Sequence, residues 1–114
     1  MNAANYNITI DRATDYGFVL TVNDLAGDPA DISEVDFYGD IRETDTKRQA
    51  VEFTFALVTD GADGQVSISL PKEDTKLLRE ATSYEYDVFA DLAAGRARLL
   101  EGTVTVRNNR TNDV

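Results

Sequence analysis

Apolar and polar residues alternate along most of the chain, and this two-residue period is typical of a β-strand with one buried face. Seven segments show the alternation. Because each segment is short and has one apolar face, they predict two antiparallel sheets packed face to face. The apolar positions are Tyr6, Ile8, Ile10; Tyr16, Phe18, Leu20, Val22; Val35, Phe37, Ile41; Val51, Phe53, Phe55, Leu57; Val66, Ile68, Leu70; Tyr84, Tyr86, Val88, Ala90; Leu100, Val104, Val106.

Turn-forming residues separate the predicted strands. Segment 23–29 (NDLAGDP) combines Asn, Asp, Gly and Pro, and segment 59–64 (TDGADG) contains two Asp-Gly pairs. These residues accept the backbone angles of tight turns, and Asp-Gly between apolar runs is a strong hairpin signal. Segment 93–96 (AAGR) predicts a short hairpin loop between the last two strands.

One short helix is predicted between the fifth and sixth strands, over Lys72–Glu80. Pro71 suits the first turn of a helix, and the acidic residues after it favour the positive end of the helix dipole. Leu77 and Leu78 are then placed to face the core. The predicted fold is an all-β, immunoglobulin-like antiparallel sandwich of about seven strands with this one helix.

Two tyrosines at the start of the sixth strand have a predicted structural role. Immunoglobulin-like sandwiches carry a tyrosine near the start of a late strand, whose hydroxyl bonds back to the preceding turn. Tyr84 and Tyr86 lie at this place in the chain, and Tyr84 is the better candidate. The alternative is two ordinary strand tyrosines, both half-buried.

Composition limits the possible functions. The 114 residues fit one domain, predicted over 1–107, with a polar tail over 108–114. The chain has no Cys and no His, which excludes zinc sites built from these residues, His general bases and Cys–His nucleophiles. Its net charge of −10 repels phosphate groups, so we expect no nucleic-acid partner and no anionic membrane partner.

The charge is unevenly distributed along the chain. Residues 1–45 contain ten carboxylates against two arginines, whereas residues 96–114 contain four arginines against two carboxylates. The simple interpretation is solubility. The alternative is head-to-tail packing of copies, in which the acidic part of one contacts the basic end of the next, including Arg107 and Arg110.

Targeting signals are not evident. No apolar run is long enough to cross a membrane. The N-terminal sequence MNAANYNITI lacks the basic and apolar segments of a signal peptide. We therefore expect synthesis in a cytoplasm.

The sequence contains only weak signals for a metal site or a catalytic site. Asp60 and Asp63, or the acidic residues of 24–31, are conceivable calcium ligands, but the spacing of a calcium-binding loop is missing and Asp-Gly serves turns by itself. No spacing singles out a catalytic carboxylate pair, a phosphate-binding loop or a nucleophile elbow. The prediction is a non-enzymatic protein with no metal and no cofactor.

Several apolar residues fall on the outward parity and are candidates for a partner-facing surface. Tyr38 and Phe89 belong to this set, and Leu99 lies on the other arm of the last predicted hairpin from Phe89. Phe89 and Leu99 are therefore predicted to be cross-strand neighbours in an apolar patch. An alternative use of Tyr38 and Phe89 is stacking on a sugar ring, although the chain has no Trp, the side chain such sites favour.

The order of turns and core positions resembles that of small tailed-bacteriophage structural proteins, and of the immunoglobulin-like N-terminal domain of phage baseplate upper proteins. The resemblance covers nearly the whole chain. One departure is Thr82, where the family often has Gly. The matching positions are Asp24, Gly27, Pro29, Asp31, Ile32 and Ser33; Gly64, Val66, Leu70, Thr75 and Leu78; Tyr84, Tyr86 and Asp87; Leu99, Gly102, Val104 and Val106.

This resemblance implies a virion structural protein of the tail, baseplate or fibre-attachment apparatus. Its partners would be other virion proteins in a symmetric assembly, and its location the virion, after synthesis in the host cytoplasm. A capsid decoration protein and a receptor- or glycan-binding module are the alternatives. The expected contact residues are Tyr38, Phe89, Leu99, Arg107 and Arg110.

Overall fold

The computed structural model describes residues 4–24, 26–92 and 95–107. Across these residues the chain forms nine strands and one short helix. The strands are β1 (Ala4–Asn5), β2 (Ile8–Asp11), β3 (Tyr16–Thr21), β4 (Asp36–Glu43), β5 (Gln49–Glu52), β6 (Thr54–Leu57), β7 (Gln65–Leu70), β8 (Tyr84–Leu92) and β9 (Gly95–Arg107), and the helix is α1 (Lys72–Thr75).

The strands form two sheets. The larger has the order β1-β9-β8-β4-β5, and β2 also pairs with β9, which makes six strands. The smaller has the order β3-β7-β6. Strands β1 and β2 run parallel to β9, and every other described pair is antiparallel. The predicted all-β sandwich is confirmed.

The inward residues of both sheets form one core. Tyr86, Ile41 and Ile10 from the six-stranded sheet and Ile68 and Val66 from β7 are at most 1% exposed. Phe53 and Tyr86 add an edge-to-face ring contact, with 5.8 Å between the ring centroids. Each fully buried aliphatic side chain of this kind contributes about 1.5–3 kcal/mol relative to exposure. The alternation in the sequence therefore translates directly into the layer between the sheets.

The fourth predicted strand is divided between the two sheets. Strand β5 pairs with β4, whereas β6 pairs with β7, and the chain changes sheet at Phe53. Phe53 is 6% exposed, and its N–H donates to the Gly39 carbonyl at 3.0 Å. The apolar alternation continues through this crossing, because the inward positions of both strands face the same core. Periodicity alone therefore predicts one strand where there are two.

The helix is shorter than predicted, and only one of its two leucines is buried. The α-helix covers Lys72–Thr75, and the chain then continues with turns. The Leu77 and Leu78 N–H groups bond to carbonyls three residues back, on Asp74 and Thr75. This tighter winding leaves Leu77 63% exposed while Leu78 is fully buried. The prediction that Leu77 faces the core is therefore wrong.

Buried Thr75 fixes this turn to the rest of the fold. Its Oγ1 donates to the Thr14 carbonyl at 2.7 Å and accepts the Thr14 N–H at 3.2 Å. Thr14 belongs to the connection between β2 and β3. The short helix is held by these contacts and by Leu78, since one turn of helix is not stable by itself.

A β-bulge interrupts β9. Val88 pairs with Leu100, but Phe89 pairs with Arg98, so Leu99 is an extra residue in β9 with no partner in β8. Leu99 and Leu100 are both buried, at 8% and 5% exposure. The prediction that Leu99 faces outward beside Phe89 is therefore wrong, because a strict two-residue period does not hold across a bulge.

Candidate interaction surface on the six-stranded sheet

The outward side chains of β4, β8 and β9 form one continuous surface, called the outer face below. The pairing of the three strands arranges these side chains in four rows across the sheet. The rows are Asp36, Asp91 and Arg96; Tyr38, Phe89 and Arg98; Asp40, Asp87 and Glu101; and Arg42, Glu85 and Thr103. Two rows combine carboxylates with an arginine, one contains both aromatic residues beside an arginine, and the row Asp40, Asp87 and Glu101 contains carboxylates alone.

Two aromatic–arginine pairs occupy the first two rows of the outer face. The Arg96 guanidinium lies over the Tyr38 ring, 4.6 Å from its centroid. The Arg98 guanidinium lies over the Phe89 ring at 5.0 Å. Tyr38 and Phe89 are cross-strand neighbours, so the two pairs are adjacent. Each is within the range of a cation–π contact, and Tyr38 remains 42% exposed.

The bulge in β9 brings the two arginines to this surface. Glu101 faces outward, so a regular strand would place residues 99 and 97 outward and Arg98 and Arg96 inward. The extra residue at Leu99 reverses the parity, which turns Leu99 into the core and both arginines outward. The sequence pattern does not predict these arginines as site residues, because it contains no signal for the bulge.

Arg42 is the centre of an ion-pair cluster beside the aromatic pairs. Its guanidinium lies 2.7 Å from Asp40, 3.1 Å from Asp87 and 3.4 Å from Glu85. Hydrogen bonding to Asp87 is the main cause that raises the pKa of Arg42 above its ordinary value. Arg98 adds a 3.8 Å contact to Asp87 from the other side.

Asp87 is buried, although its side chain lies on the outward side of β8. It is 7% exposed, whereas its neighbours in the row are half-buried or exposed. A carboxylate with so little access to water requires charged partners, which Arg42 and Arg98 supply. The cluster is therefore a fixed part of the surface, with its carboxylates held by guanidinium groups.

Asp91 joins the ion pairs to the aromatic residues. It accepts from Arg96 at 2.9 Å and from the Tyr38 hydroxyl at 3.0 Å. The bond from Arg96, followed by the bond from Tyr38, lowers the pKa of Asp91 below its ordinary value. The same bond raises the pKa of the Tyr38 hydroxyl, which is its donor.

Two shallow depressions flank the buried Asp87. One, of about 330 Å³, lies toward β5 and is lined by residues that include Tyr38, Arg42, Glu52 and Phe89. The other, of about 300 Å³, lies toward β1. Both are open to solvent, and both are lined in part by the ion pair between Arg42 and Asp87. This relief suits the side chains of a protein partner more than an enclosed small molecule.

Of the predicted contact residues, the structure brings only Tyr38 and Phe89 together. Arg107 lies at the far end of β9, nine residues beyond Arg98, or about 30 Å along an extended strand. Its guanidinium is 2.8 Å from Asp11, and this contact raises the pKa of Arg107. Arg110 and the tail over 108–114 lie outside the described residues.

Both predicted structural tyrosines are buried and make hydrogen bonds. The Tyr84 hydroxyl accepts the backbone N–H of Arg79 at 2.9 Å, which joins the start of β8 to the preceding turn. The Tyr86 hydroxyl donates to the Tyr6 carbonyl, in the gap between β1 and β2. Burial raises the pKa of Tyr86 to about 12, which keeps this donor protonated.

The acidic residues of the Asp-Gly turns bind backbone groups. Asp60 accepts the Ala62 N–H at 2.9 Å, and Asp63 accepts the Gln65 N–H at 3.0 Å and the Thr59 hydroxyl at 2.8 Å. These bonds are the ordinary function of Asp in turns. Within the described ranges, no group of three or more acidic residues has the geometry to hold a metal ion.

Comparisons with known proteins support the fold. No protein-family profile matches the chain. No curated protein matches it either. A solved structure of a VGSC beta subunit aligns with a TM-score of 0.52 and 12% identity, over 96% of this chain and 93% of that one. The BTLA ectodomain aligns with a TM-score of 0.49 and 8% identity, over 94% of each chain. The fold is that of an immunoglobulin-like β-sandwich.

Among the residues that the structure describes, no helix has the length and apolar character needed to cross a bilayer.

Proposed function

We propose that the chain is a non-enzymatic structural protein of a tailed-bacteriophage virion, in the tail, baseplate or fibre-attachment apparatus. It holds neighbouring virion proteins through the outer face of the six-stranded sheet. The virion setting rests on the resemblance in the turn and core positions of the sequence. The mode of action rests on the surface described above.

The single observation that supports binding by this face is the adjacent pair of aromatic–arginine contacts. Tyrosine and arginine are enriched at the energetic centres of protein interfaces, where water is excluded by surrounding polar groups. Tyr38, Phe89, Arg96 and Arg98 are surrounded by fixed carboxylates in this way. Because the cluster is already ordered by ion pairs, a partner that binds it loses little side-chain entropy.

A sugar-binding function is less well supported by the same geometry. A sugar ring stacks on the open face of an aromatic side chain. Arg96 and Arg98 already cover a face of the Tyr38 and Phe89 rings. A glycan would have to displace these guanidinium groups, whereas a protein carboxylate would bind them where they are.

Quantitative mass spectrometry of particles purified from cells that carry the gene tests this function. We expect the chain in the particles, at a copy number that is a multiple of the tail's rotational symmetry. A copy number close to that of the major capsid protein would favour the decoration alternative instead. Absence from purified particles would contradict the proposal, and a glycan-array signal lost in a Tyr38→Ala variant would support a receptor-binding module.

A further inference from the structure

The two sheets have free edges, and three of them are short or interrupted. The β1–β2 edge is broken at residues 6–7 and carries the Asp11–Arg107 ion pair. Strand β5 has four residues, includes Glu52, and its pairing with β4 shifts between Ile41 and Arg42. Strand β6 also has only four residues. Short strands, charges and irregularities are the features by which proteins prevent edge-to-edge pairing.

Strand β3 lacks these protections. Its sequence, Tyr16–Thr21 (YGFVLT), contains no charge and no proline. All six residues pair with β7 without a shift in register. In the described part of the chain β3 pairs with β7 alone, so its other edge is free.

The hydrogen-bonding groups on that free edge are identified by the pairing with β7. The Val22 N–H donates to the Gly64 carbonyl at 2.7 Å. Backbone groups of an antiparallel strand point alternately to its two sides, so Phe18 and Leu20 also bond toward β7. The N–H and C=O groups of Gly17, Val19 and Thr21 then point away from the sheet. These groups are available to another strand.

Apolar side chains accompany the free backbone groups. Val19 is 55% exposed on the outside of the sheet. Phe18 and Leu20 point inward but remain only half-buried, because they lie at the rim of the core. A strand added here would satisfy the backbone groups and cover apolar surface on both faces of the sheet.

We propose that this edge binds the same edge of a second copy, with the two β3 strands antiparallel about a two-fold axis at Val19. In this register Val19 lies opposite Val19 of the second copy, and Gly17 lies opposite Thr21. The groups that point away from β7 then bond to one another, and the two three-stranded sheets become one six-stranded sheet. Such a contact is isologous, since one patch serves both partners.

The charges near the edge are compatible with this pairing. The same register places Asp15 opposite Asn23 and Thr14 opposite Asp24, so no like charges face each other between these positions. The net charge of −10 per chain still opposes association at long range. Salt screens this repulsion, so we expect the dimer fraction to rise with ionic strength.

Sedimentation velocity of the full chain over a concentration series measures the dimer directly. We expect a monomer–dimer equilibrium that shifts toward the dimer between about 0.02 M and about 0.5 M NaCl. Val19→Lys places two ammonium groups opposite each other and should weaken the dimer roughly tenfold or more. Val58→Lys, at a valine of similar exposure outside β3, is the matched control and should leave the equilibrium unchanged.

A chain that is monomeric at every concentration and salt would overturn the proposal. So would a dimer that Val19→Lys and Val58→Lys affect equally. Circular dichroism of each variant establishes that the sandwich is intact.

Disulfide cross-linking tests the register, because the chain has no cysteine of its own. Opposed residues in a hydrogen-bonded antiparallel pair have Cα atoms about 5.5 Å apart, within the range that a disulfide spans. Val19→Cys should therefore form a covalent dimer on mild oxidation. Thr21→Cys is the matched control on the same strand, since its two copies would lie about 14 Å apart. Equal cross-linking of the two variants, or none of either, would contradict this register.

The dimer does not depend on the proposed function. A monomer in solution would overturn pairing at β3 and leave binding by the outer face untouched. Absence of the chain from virions would overturn the proposed function and leave pairing at β3 untouched.

Discussion

At the scale of single residues, Gly102 shows how one position adapts the sheet to an irregular neighbour. The chain leaves β9 between β1 and β2, and the Tyr6 carbonyl lies over Gly102. A Cβ atom at Gly102 would be 2.3 Å from that oxygen. The Tyr86 hydroxyl donates to the same oxygen, so the carbonyl is both accommodated and hydrogen-bonded. Gly102 and Tyr86 together accommodate the interruption of the N-terminal strand at this point.

Gly102→Ala should therefore destabilise the protein by about 1–3 kcal/mol, the usual cost of forcing atoms into a packed site. Gly17→Ala is the control, because the added Cβ has no neighbour closer than 3.4 Å. We expect Gly17→Ala to be neutral or slightly stabilising, since alanine restricts the unfolded chain. Urea unfolding measures both changes, and equal stability of the two variants would contradict the role of Gly102.

Asp91 should contribute to the pH dependence of stability. Its pKa in the folded state is below the ordinary value of 3.8, because Arg96 and Tyr38 bond to the ionised form. The stability that it contributes is present above the unfolded-state pKa and is lost as the pH falls through the folded-state pKa. Between about pH 5 and pH 2, wild type should lose more stability than the Asp91→Asn variant.

Urea unfolding at the two pH values measures this difference. Asp45→Asn is the control, because Asp45 is exposed and makes no ion pair within the described residues. It should retain the full wild-type loss of stability on acidification. An equally large loss in Asp91→Asn would show that Asp91 has no such role.

At the scale of elements, the sequence predicts strands better than it predicts where they bend. The alternation of apolar and polar residues predicts the strands and the core, because the inward residues of both sheets pack in the same buried layer. It fails at Leu99 and at Phe53 for opposite reasons. The bulge at Leu99 changes the parity without any local signal, whereas the crossing at Phe53 preserves the parity and so conceals the change of sheet.

Some residues of the outer face could be predicted from the sequence, and others could not. Tyr38 and Phe89 are predictable, because they break the outward-polar rule on regular stretches of strand. Arg96 and Arg98 are not, since their orientation depends on the bulge. The burial of Asp87 depends on contacts from two other strands, which no local pattern describes.

The bulge in β9 buries Leu99, and the tight turn after α1 exposes Leu77, so the two leucines should contribute to stability in the opposite order to the one that the sequence predicts. Leu99→Ala should cost about 2–4 kcal/mol, since it removes a buried side chain and leaves a cavity. Leu77→Ala should cost less than about 0.5 kcal/mol, because Leu77 is mostly exposed. Thermal or urea unfolding measures both, and a greater cost at Leu77 would contradict the bulge and the tight turn together.

At the scale of the whole molecule, the two sheets present different surfaces. The six-stranded sheet has a charged outer face, ordered around Arg42 and the aromatic pairs. The outward positions of the three-stranded sheet are uncharged and mostly small, and its β3 edge is free. This division suits a protein that contacts neighbours with one face and a second copy with the opposite sheet.

Incorporation of variants into virions tests the central claim that the outer face holds neighbouring proteins. Arg96→Ala combined with Arg98→Ala removes both guanidinium groups from the aromatic rings while leaving the Arg42–Asp87 pair. Lys72→Ala combined with Lys76→Ala removes the same charge from exposed sites outside the outer face.

Each doubly substituted chain is produced in cells that carry the virus lacking its own copy of the gene, and particles are assayed by quantitative mass spectrometry. We expect the lysine variant to be incorporated at the wild-type level. Circular dichroism establishes that the arginine variant is folded. We expect its incorporation into particles to be lower than that of the wild type by a factor of about ten or more, which corresponds to a loss of about 1.4 kcal/mol of binding free energy. Equal incorporation of the two variants would contradict the claim.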